Sequence, residues 1–359
     1  MRVKREQLQE GCVITEDIYV LSTHPIIRRK TVLNQVHLNV LHAFLVKEAS
    51  VEKKLINGEP FLPETAENTD ENAEEHAPVF IENYLNAVGV YKSMFQKWQA
   101  GNPVDMGEIR RVMTPLLQEA VGQSNHVLFL HHFCTKKDYL YHHAVATGLL
   151  AAMLAHKMKF SNKEVLQAGM AGVLSDAGMA MLAPAIIEKK GELTQSEYQE
   201  VKNHPYHSYT MLKGTSTVTE LMLIAVLQHH EREDGNGYPF GTSSSKLNKI
   251  SRILAAADVY HAMTSERPYR KKQSPYKVID EMLKGQFGKL HLEVVHSLME
   301  KLLTFSIGTK VSLSNGKNAE IIFTDRNNPT SPIVKLDESQ EIIQLSTSQP
   351  PFLEEIRSV

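Results

Sequence analysis

Histidines are concentrated in the central part of the chain, and several lie beside a carboxylate or another histidine. Imidazole and carboxylate ligands together suit iron, manganese or zinc, and such residues from different helices can converge inside a helical bundle. The adjacent pair His229-His230 is the clearest example. Neighbouring residues on a helix point about 100° apart, so both imidazoles can face one metal cluster only near the end of that helix. The pair alone is equally compatible with one buried and one surface histidine.

Two aspartates lie in apolar stretches, where an unpaired carboxylate would be costly to bury. Asp176 follows Ala-Gly-Val-Leu-Ser, and Asp258 follows Ile-Leu-Ala-Ala-Ala. A bound metal ion would remove that cost, although Asp176 also fits a helix end beside a glycine-containing turn. His143, near the start of an apolar helix, and His204 are further candidates that could each be an ordinary core or surface histidine.

The elements that position these residues are predicted to be helices. Apolar residues between about 79 and 305 recur at helical spacing, as in Leu149, Met153, Leu154 and Met158. We therefore predict a mainly α domain over residues 79–305.

The N-terminal flank has a different pattern. Residues 1–62 mix short apolar runs with a predicted helix over Val36–Leu45, which indicates a small α/β module. Residues 63–78 are largely acidic and polar without periodicity, so they are predicted to form a linker.

The C-terminal flank, residues 306–359, is predicted to be a small β module. Asn315-Gly316 is the strongest short hairpin signal, and Ala319–Thr324 and Ile333–Leu336 are predicted strands.

Composition excludes several classes of protein. The chain of 359 residues is 42% hydrophobic and 22% charged, as is ordinary for a globular protein. Its net charge of −2 provides no global field for nucleic acid, so we expect no double-stranded DNA partner. Cys12 and Cys134 lack metal-ligand spacing and are expected to be reduced thiols. No apolar signal segment or membrane-length apolar run is found, which predicts a cytoplasmic protein without membrane contact.

Taken in order, these residues resemble the HD-GYP family, a subgroup of the HD-superfamily metal phosphohydrolases. Residues 229–239, HHEREDGNGYP, are similar to the family signature HHExxDGxGYP, and residues 253–270, ILAAADVYHAMTSERPYR, resemble the segment that follows it. The resemblance covers roughly residues 138–303 and implies an HD-type helical bundle.

The resemblance also implies a reaction and a site. It implies two divalent transition metals, with iron or manganese preferred and zinc or nickel as alternatives. It further implies hydrolysis of cyclic di-GMP to pGpG or GMP by a metal-bridging hydroxide. The metal ligands carried over are His143, Asp176, His204, His229, His230 and Asp258, with Asp176 as the bridging, catalytic residue. The substrate-binding residues carried over are Arg267 and Arg270 as phosphate contacts, with Gly237, Tyr238 and Pro239 shaping the pocket.

Three positions depart from the family pattern. Ser175 replaces the histidine of the family's His-Asp doublet, and Met179 replaces the lysine of the x-Gly-Lys that follows it. A serine hydroxyl is a poor neutral ligand, and a thioether offers no charge to a phosphate. Tyr139 occupies the position where some relatives have a glutamate for a third metal ion. We therefore predict impaired hydrolysis and at most two metal ions.

Three classes of function remain open. The first is a phosphodiesterase acting on cyclic di-GMP or a related cyclic dinucleotide. The alternative is a catalytically degenerate HD-GYP protein that acts as a cyclic-dinucleotide sensor or a scaffold for signalling proteins. A purely structural helical protein is the third, and the sequence is compatible with a homodimer in each case.

Overall fold

The computed structural model describes residues 1–19, 27, 29–33, 37–38, 41, 46–63, 76–122, 124–189, 191–267, 272–302, 309–325, 328–346, 351 and 353–357. The chain divides into two compact units, and the division along the chain falls between Leu85 and Asn86.

The N-terminal unit contains a short antiparallel pair, β1 (Arg2–Lys4) and β2 (Glu48–Ser50), in which Val3 lies opposite Ala49. Its buried core includes Ile14, Leu33, Leu41 and Val51. The helix predicted over Val36–Leu45 lies mostly outside the described residues, as does most of the linker predicted over residues 63–78.

The larger unit is built mainly from helices, so the predicted mainly α fold is confirmed. Its first helix, α1, begins before the division between the units. The helices are α1 (His76–Gln99), α2 (Met106–Gly122), α3 (Ser124–Leu128), α4 (Tyr139–Lys157), α5 (Asn162–Leu174), α6 (Pro184–Ile187), α7 (Gln195–Val201), α8 (His204–Leu212), α9 (Glu220–Gln228), α10 (Lys249–Thr264), α11 (Pro275–Leu283) and α12 (Leu292–Leu302). Short 3-10 helices lie at Arg5–Gln7 in the N-terminal unit and at Leu130–Phe133, Ala177–Met181 and Ser244–Lys246 in this one.

Helix α4 forms the centre of the larger unit. Its residues from His142 to Ala155 are all buried, as expected of a helix that is apolar on every side. It packs closely on α5, because a Cβ atom on Gly172 would lie 2.8 Å from the Cα atom of Gly148. Helix α10, also buried along most of its length, contacts both α4 and α5. These three helices carry His143, Asp258 and the approach to Asp176.

A five-stranded antiparallel sheet follows the helices. Its strands are β3 (Lys310–Leu313), β4 (Asn318–Asp325), β5 (Asn328–Leu336), β6 (Ile342–Gln344) and β7 (Leu353–Arg357). They lie side by side in the order β6-β5-β4-β3-β7. The predicted hairpin at Asn315-Gly316 is confirmed, since it joins β3 to β4 and Gly316 has φ +79°. The predicted strands over Ala319–Thr324 and Ile333–Leu336 lie within β4 and β5.

The sheet and the helices from residue 86 onwards fall in one compact unit. The predicted boundary at residues 305 and 306 therefore stays a prediction. None of the described helices combines the length and the apolar character needed to cross a bilayer.

Candidate metal centre

Most of the predicted ligands lie at the ends of helices. Asp176 immediately precedes the 3-10 turn Ala177–Met181, and His204 is the first residue of α8. His229 caps the C-terminal end of α9, and His230 follows it. The adjacent pair thus lies at a helix end, which is where two neighbouring imidazoles can face the same metal cluster. His143 and Asp258 instead project from the buried helices α4 and α10.

Four of these side chains form one compact cluster. Single ligand atoms of Asp176, His204, His229 and His230 all lie within 4.8 Å of one another. The Nε2 atom of His204 lies 3.1 Å from Oδ1 of Asp176 and 3.2 Å from Nε2 of His229. The Nε2 atom of His229 is 3.5 Å from the same carboxylate oxygen.

The remaining two candidates adjoin this cluster through the other oxygen of Asp176. The Nε2 atom of His143 lies 3.5 Å from Oδ2 of Asp176 and 2.9 Å from Oδ1 of Asp258. The Nδ1 atom of His230 lies 3.6 Å from Oδ2 of Asp258. The two oxygens of Asp176 thus face different histidines, an arrangement in which one carboxylate can join two ion positions.

Hydrogen bonds to the backbone fix the protonation pattern of two imidazoles. The Nδ1 atom of His204 donates to the carbonyl oxygen of Val201 at 2.7 Å, and Nδ1 of His229 donates to that of Val226 at 2.6 Å. In the neutral tautomer each Nε2 atom then presents a lone pair. Two such lone pairs and a carboxylate oxygen converge at about hydrogen-bond distance, where only a proton or a cation relieves their repulsion. The donor set therefore fits a metal ion, with orienting contacts of the kind that metal-bound histidines have.

The surroundings favour the ionised form of Asp176 and Asp258 and the neutral form of His230, which are the forms that bind metal ions. Burial raises the pKa of Asp176, but hydrogen bonds with His204 and His229 outweigh it and hold that pKa well below its usual range. Burial also raises the pKa of Asp258. The charge of His230, a hydrogen bond with His143 and the charge of His143 outweigh this effect, so the pKa of Asp258 is lowered overall. Burial, followed by the charge of His229, lowers the pKa of His230 well below its usual value. At neutral pH the site thus offers carboxylates and at least one neutral imidazole.

The two departed positions flank Asp176 but contribute nothing to the cluster. The Ser175 hydroxyl donates to the carbonyl oxygen of Gly172 at 2.8 Å, within its own helix. Met179 is half-buried, and its thioether carries no charge.

Gly178 brings α8 against the turn that carries Asp176. Its backbone N–H donates to the hydroxyl of Ser208 at 2.7 Å, and that hydroxyl donates to the carbonyl oxygen of Ser175 at 2.6 Å. The close approach requires the absence of a side chain at Gly178.

The predicted pocket loop lies directly on the histidine pair. Gly237 packs against backbone, since a Cβ atom there would lie 2.5 Å from the carbonyl oxygen of His230. The Tyr238 ring stacks on the His230 ring at 4.6 Å with an interplanar angle of 29°. Burial raises the pKa of Tyr238, so its phenol stays neutral. Pro239 follows through a cis peptide bond.

Glu231 anchors the loop, a role that the sequence pattern did not assign to it. Its side chain is 2% exposed and accepts hydrogen bonds from the backbone N–H groups of Phe240 and Thr242, each at 2.8 Å. It thereby ties the loop to the residue that follows the histidine pair. The available signal was its position directly after that pair.

Arg267, one of the two predicted phosphate contacts, lies outside the cluster of candidate ligands. The guanidinium of Arg267 stands 5.4 Å from the Tyr139 ring, which stacks on the His143 ring at 5.2 Å. Its Nε atom donates to the carbonyl oxygen of Ala262 at 2.7 Å. Arg267 is therefore behind His143 rather than among the cluster residues. Arg270 lies outside the described residues.

Comparisons with known proteins identify the family to which this chain is similar. The model of the HD domain family matches residues 131–289. A cyclic di-GMP phosphodiesterase of Pseudomonas aeruginosa is 30% identical over 244 residues, which cover 68% of this chain and 59% of that protein. The cyclic di-GMP phosphodiesterase PdeB of Borreliella burgdorferi is 28% identical over 192 residues, covering 54% of this chain and 50% of that protein.

A further relative is named for a different cyclic dinucleotide. The 3'3'-cGAMP-specific phosphodiesterase 1 of Vibrio cholerae is 31% identical over 176 residues, covering 47% of this chain and 40% of that protein. The chain thus spans about half the length of the curated relatives it matches. With the matched HD domain, and with Tyr238 of the Gly237-Tyr238-Pro239 segment stacked on His230, the chain is an HD-GYP domain protein.

Proposed function

We propose that this protein is a metal-dependent phosphodiesterase that hydrolyses cyclic di-GMP or a related cyclic dinucleotide to a linear product. The observation that carries the proposal is the position of Asp176, whose Oδ1 faces His204 and His229 while its Oδ2 faces His143. One carboxylate between two imidazole groups suits a pair of ions. The names of the relatives supply the substrate class.

Two divalent transition metals are proposed, since imidazole and carboxylate donors together suit iron, manganese or zinc. The preference for iron or manganese over zinc or nickel rests on the resemblance to the HD-GYP family. When bound, such ions lower the pKa of water and neutralise phosphate charge, which makes hydroxide available near neutral pH. A third ion is not expected, because the Tyr139 phenol stacks on His143 and its pKa is raised by burial.

The residues of the chain would hold the metal ions and orient the dinucleotide. Asp176 would contribute to both ion positions, and His143 and Asp258 would be ligands on the side of its Oδ2 atom. Tyr238 presents a neutral aromatic ring that stacks on His230 and shapes the pocket beside it. Arg267 and Arg270 remain proposed phosphate contacts, although the Nε atom of Arg267 is already bonded to the backbone.

The alternative function is a sensor or scaffold that binds without turnover. Its support is that the Ser175 hydroxyl is committed to Gly172 and that Met179 brings no charge. A slow hydrolase and a sensor share the same bound ligand and differ only in product formation. A cytoplasmic location, a signalling partner and a homodimer stay predictions.

The test is a turnover assay on the full chain reconstituted with Mn²⁺ or Fe²⁺. Cyclic di-GMP and 3'3'-cGAMP would be supplied separately and their products separated by chromatography. Asp176→Asn is the inactive variant, and Asp280→Asn is its matched control, because Asp280 is also buried but pairs with Lys284.

Metal-dependent product formation that is lost only in Asp176→Asn would support the hydrolase. Binding of either dinucleotide without product would support the sensor. Metal-loaded protein that neither binds nor cleaves them would contradict both readings.

A further inference from the structure

A second histidine lies directly behind one of the predicted metal ligands. The Nδ1 atom of His143 is 3.0 Å from the Nδ1 atom of His261, and both side chains are buried. The resemblance assigned no role to His261.

The proton positions in this pair follow from the metal site. For His143 to serve as a ligand, its Nε2 atom must present a lone pair toward Asp258 and Asp176, so Nδ1 carries the proton. That proton can be donated only to an unprotonated Nδ1 of His261. His261 then carries its own proton on Nε2, and the hydroxyl oxygen of Ser265 lies 3.3 Å from that nitrogen and 3.4 Å from Nδ1. The result is a hydrogen bond donated by His143 to His261.

Helix α10 therefore contacts the His143 ring at both nitrogens. Asp258 faces Nε2 at 2.9 Å and His261 faces Nδ1 at 3.0 Å, and residues three apart lie on one face of a helix. His204 and His229 are oriented by carbonyl oxygens, which can only accept. An imidazole can accept or donate, so the orientation of His143 depends on the tautomer of another side chain.

We propose that His261 is a positioning residue that sets the tautomer and orientation of His143. It thereby sets the metal affinity at the proposed ion position beside His143, Asp258 and Oδ2 of Asp176. Partners of this kind typically change metal affinity by about 10–100-fold when they are removed.

Three substitutions at one position separate this role from simple packing. His261→Leu fills the space without an acceptor. His261→Asn retains one, because its amide oxygen falls near the place of Nδ1, and His261→Asp supplies a charged acceptor. His131→Asn is the matched control, since His131 is equally buried and its Nδ1 atom bonds the carbonyl oxygen of Leu128 instead.

Metal content per chain and the rate of metal release to a chelator are the readouts, with circular dichroism as the check on folding. His261→Leu is expected to release one ion at least tenfold faster than the wild type. The release rate of His261→Asn is expected to stay near the wild-type rate, and that of His261→Asp to be slower. Equal release from folded His261→Leu and the wild type would overturn the proposal, as would a wild type that retains no metal. The readout does not require hydrolysis.

A second cluster carries an independent inference about the ligand. The ammonium of Lys202 lies 4.9 Å from the centre of the Tyr198 ring and 5.6 Å from that of Tyr238, the ring that stacks on His230. Within the described ranges no carboxylate forms an ion pair with Lys202. Arg232, the other cation beside the loop, is bonded through Nε and Nη1 to backbone carbonyl oxygens.

Resting on the proposed function, we infer that Lys202 supplies the phosphate contact that Met179 cannot. The two aromatic faces hold the ammonium in place without neutralising its charge, so the charge remains available to an anion. An ammonium acts on phosphate as a point charge and needs no fixed planar geometry.

Lys202→Gln is the test, and Lys213→Gln is the matched control, because its ammonium lies 5.8 Å from the Tyr209 ring elsewhere on α8. The dissociation constant for cyclic di-GMP would be measured by calorimetry on metal-loaded protein at two salt concentrations. Lys202→Gln is expected to weaken binding about tenfold and to reduce its salt dependence, and Lys213→Gln to leave both unchanged.

Unaltered binding in Lys202→Gln would overturn this assignment alone. A wild type that binds no cyclic dinucleotide would overturn the proposed function and this assignment together.

Discussion

A Cβ atom on Gly178 would lie 2.3 Å from the carbonyl oxygen of His204. No real contact is so short, so any side chain at Gly178 must move α8 away from the turn that follows Asp176. The position of His204 relative to Asp176 is therefore set by the absence of one methyl group, two residues after the aspartate.

Gly178→Ala is expected to lower metal content to half or less of the wild-type value, because it separates His204 from Asp176. Overpacking of this kind also costs about 1–3 kcal/mol of stability. Elemental analysis and chemical unfolding would measure the two effects. Gly191→Ala is the control, since a Cβ atom there meets nothing within 4 Å. Equal metal content in the two variants would contradict the prediction.

Ser175→His is expected to raise both metal occupancy and phosphodiesterase rate, because it restores an imidazole next to the bridging carboxylate. Ser175→Ala is its control and should leave metal content unchanged, since the native hydroxyl bonds the carbonyl oxygen of Gly172 and no ligand. Metal per chain and turnover would be measured in parallel. A wild type that is already fully loaded and gains nothing from histidine would show that Ser175 is not the limiting defect.

Residue types indicated a set of candidate ligands whose side chains the structure brings close together, and helical periodicity indicated the mainly α domain. The orienting partners could not be predicted in the same way. His143 and His261 are separated by 118 positions, and nothing in either segment indicates that their rings meet. The direction of the Ser175 hydroxyl is likewise a matter of local rotamer and packing. The sequence thus indicates candidate ligand residues, while long-range packing decides how their side chains are oriented.

Acid is expected to destabilise the metal-free protein partly through His131. Burial, followed by the charge of His132, lowers the pKa of His131 well below its usual value of 6.5. The unfolded chain therefore binds this proton first, and stability falls as the pH drops below about 6.5. The slope from one such group is about 1.4 kcal/mol per pH unit. Urea unfolding between pH 7 and pH 5 should show a shallower loss in His131→Asn than in the wild type. The exposed His156→Asn is the control, and identical slopes in the wild type and both variants would contradict this assignment.

Glu231→Gln is expected to loosen the Gly-Tyr-Pro loop while leaving the metal in place. The carboxylate accepts from the backbone N–H groups of Phe240 and Thr242 with different oxygens, at 2.8 Å each. An amide keeps only one acceptor oxygen and presents an NH₂ group to the other N–H, so one buried donor loses its partner, at about 1–3 kcal/mol.

The loop carries Tyr238, so the expected result is an increase in KM of at least several-fold with metal content near the wild-type value. Kinetics on metal-loaded protein and elemental analysis would measure both quantities. Glu233→Gln is the control, because Glu233 is a nearby half-buried glutamate that pairs with Arg252 rather than with the loop backbone. Loss of metal in Glu231→Gln would instead place this carboxylate in support of the histidine pair. An unchanged KM would mean that the loop keeps its position without it.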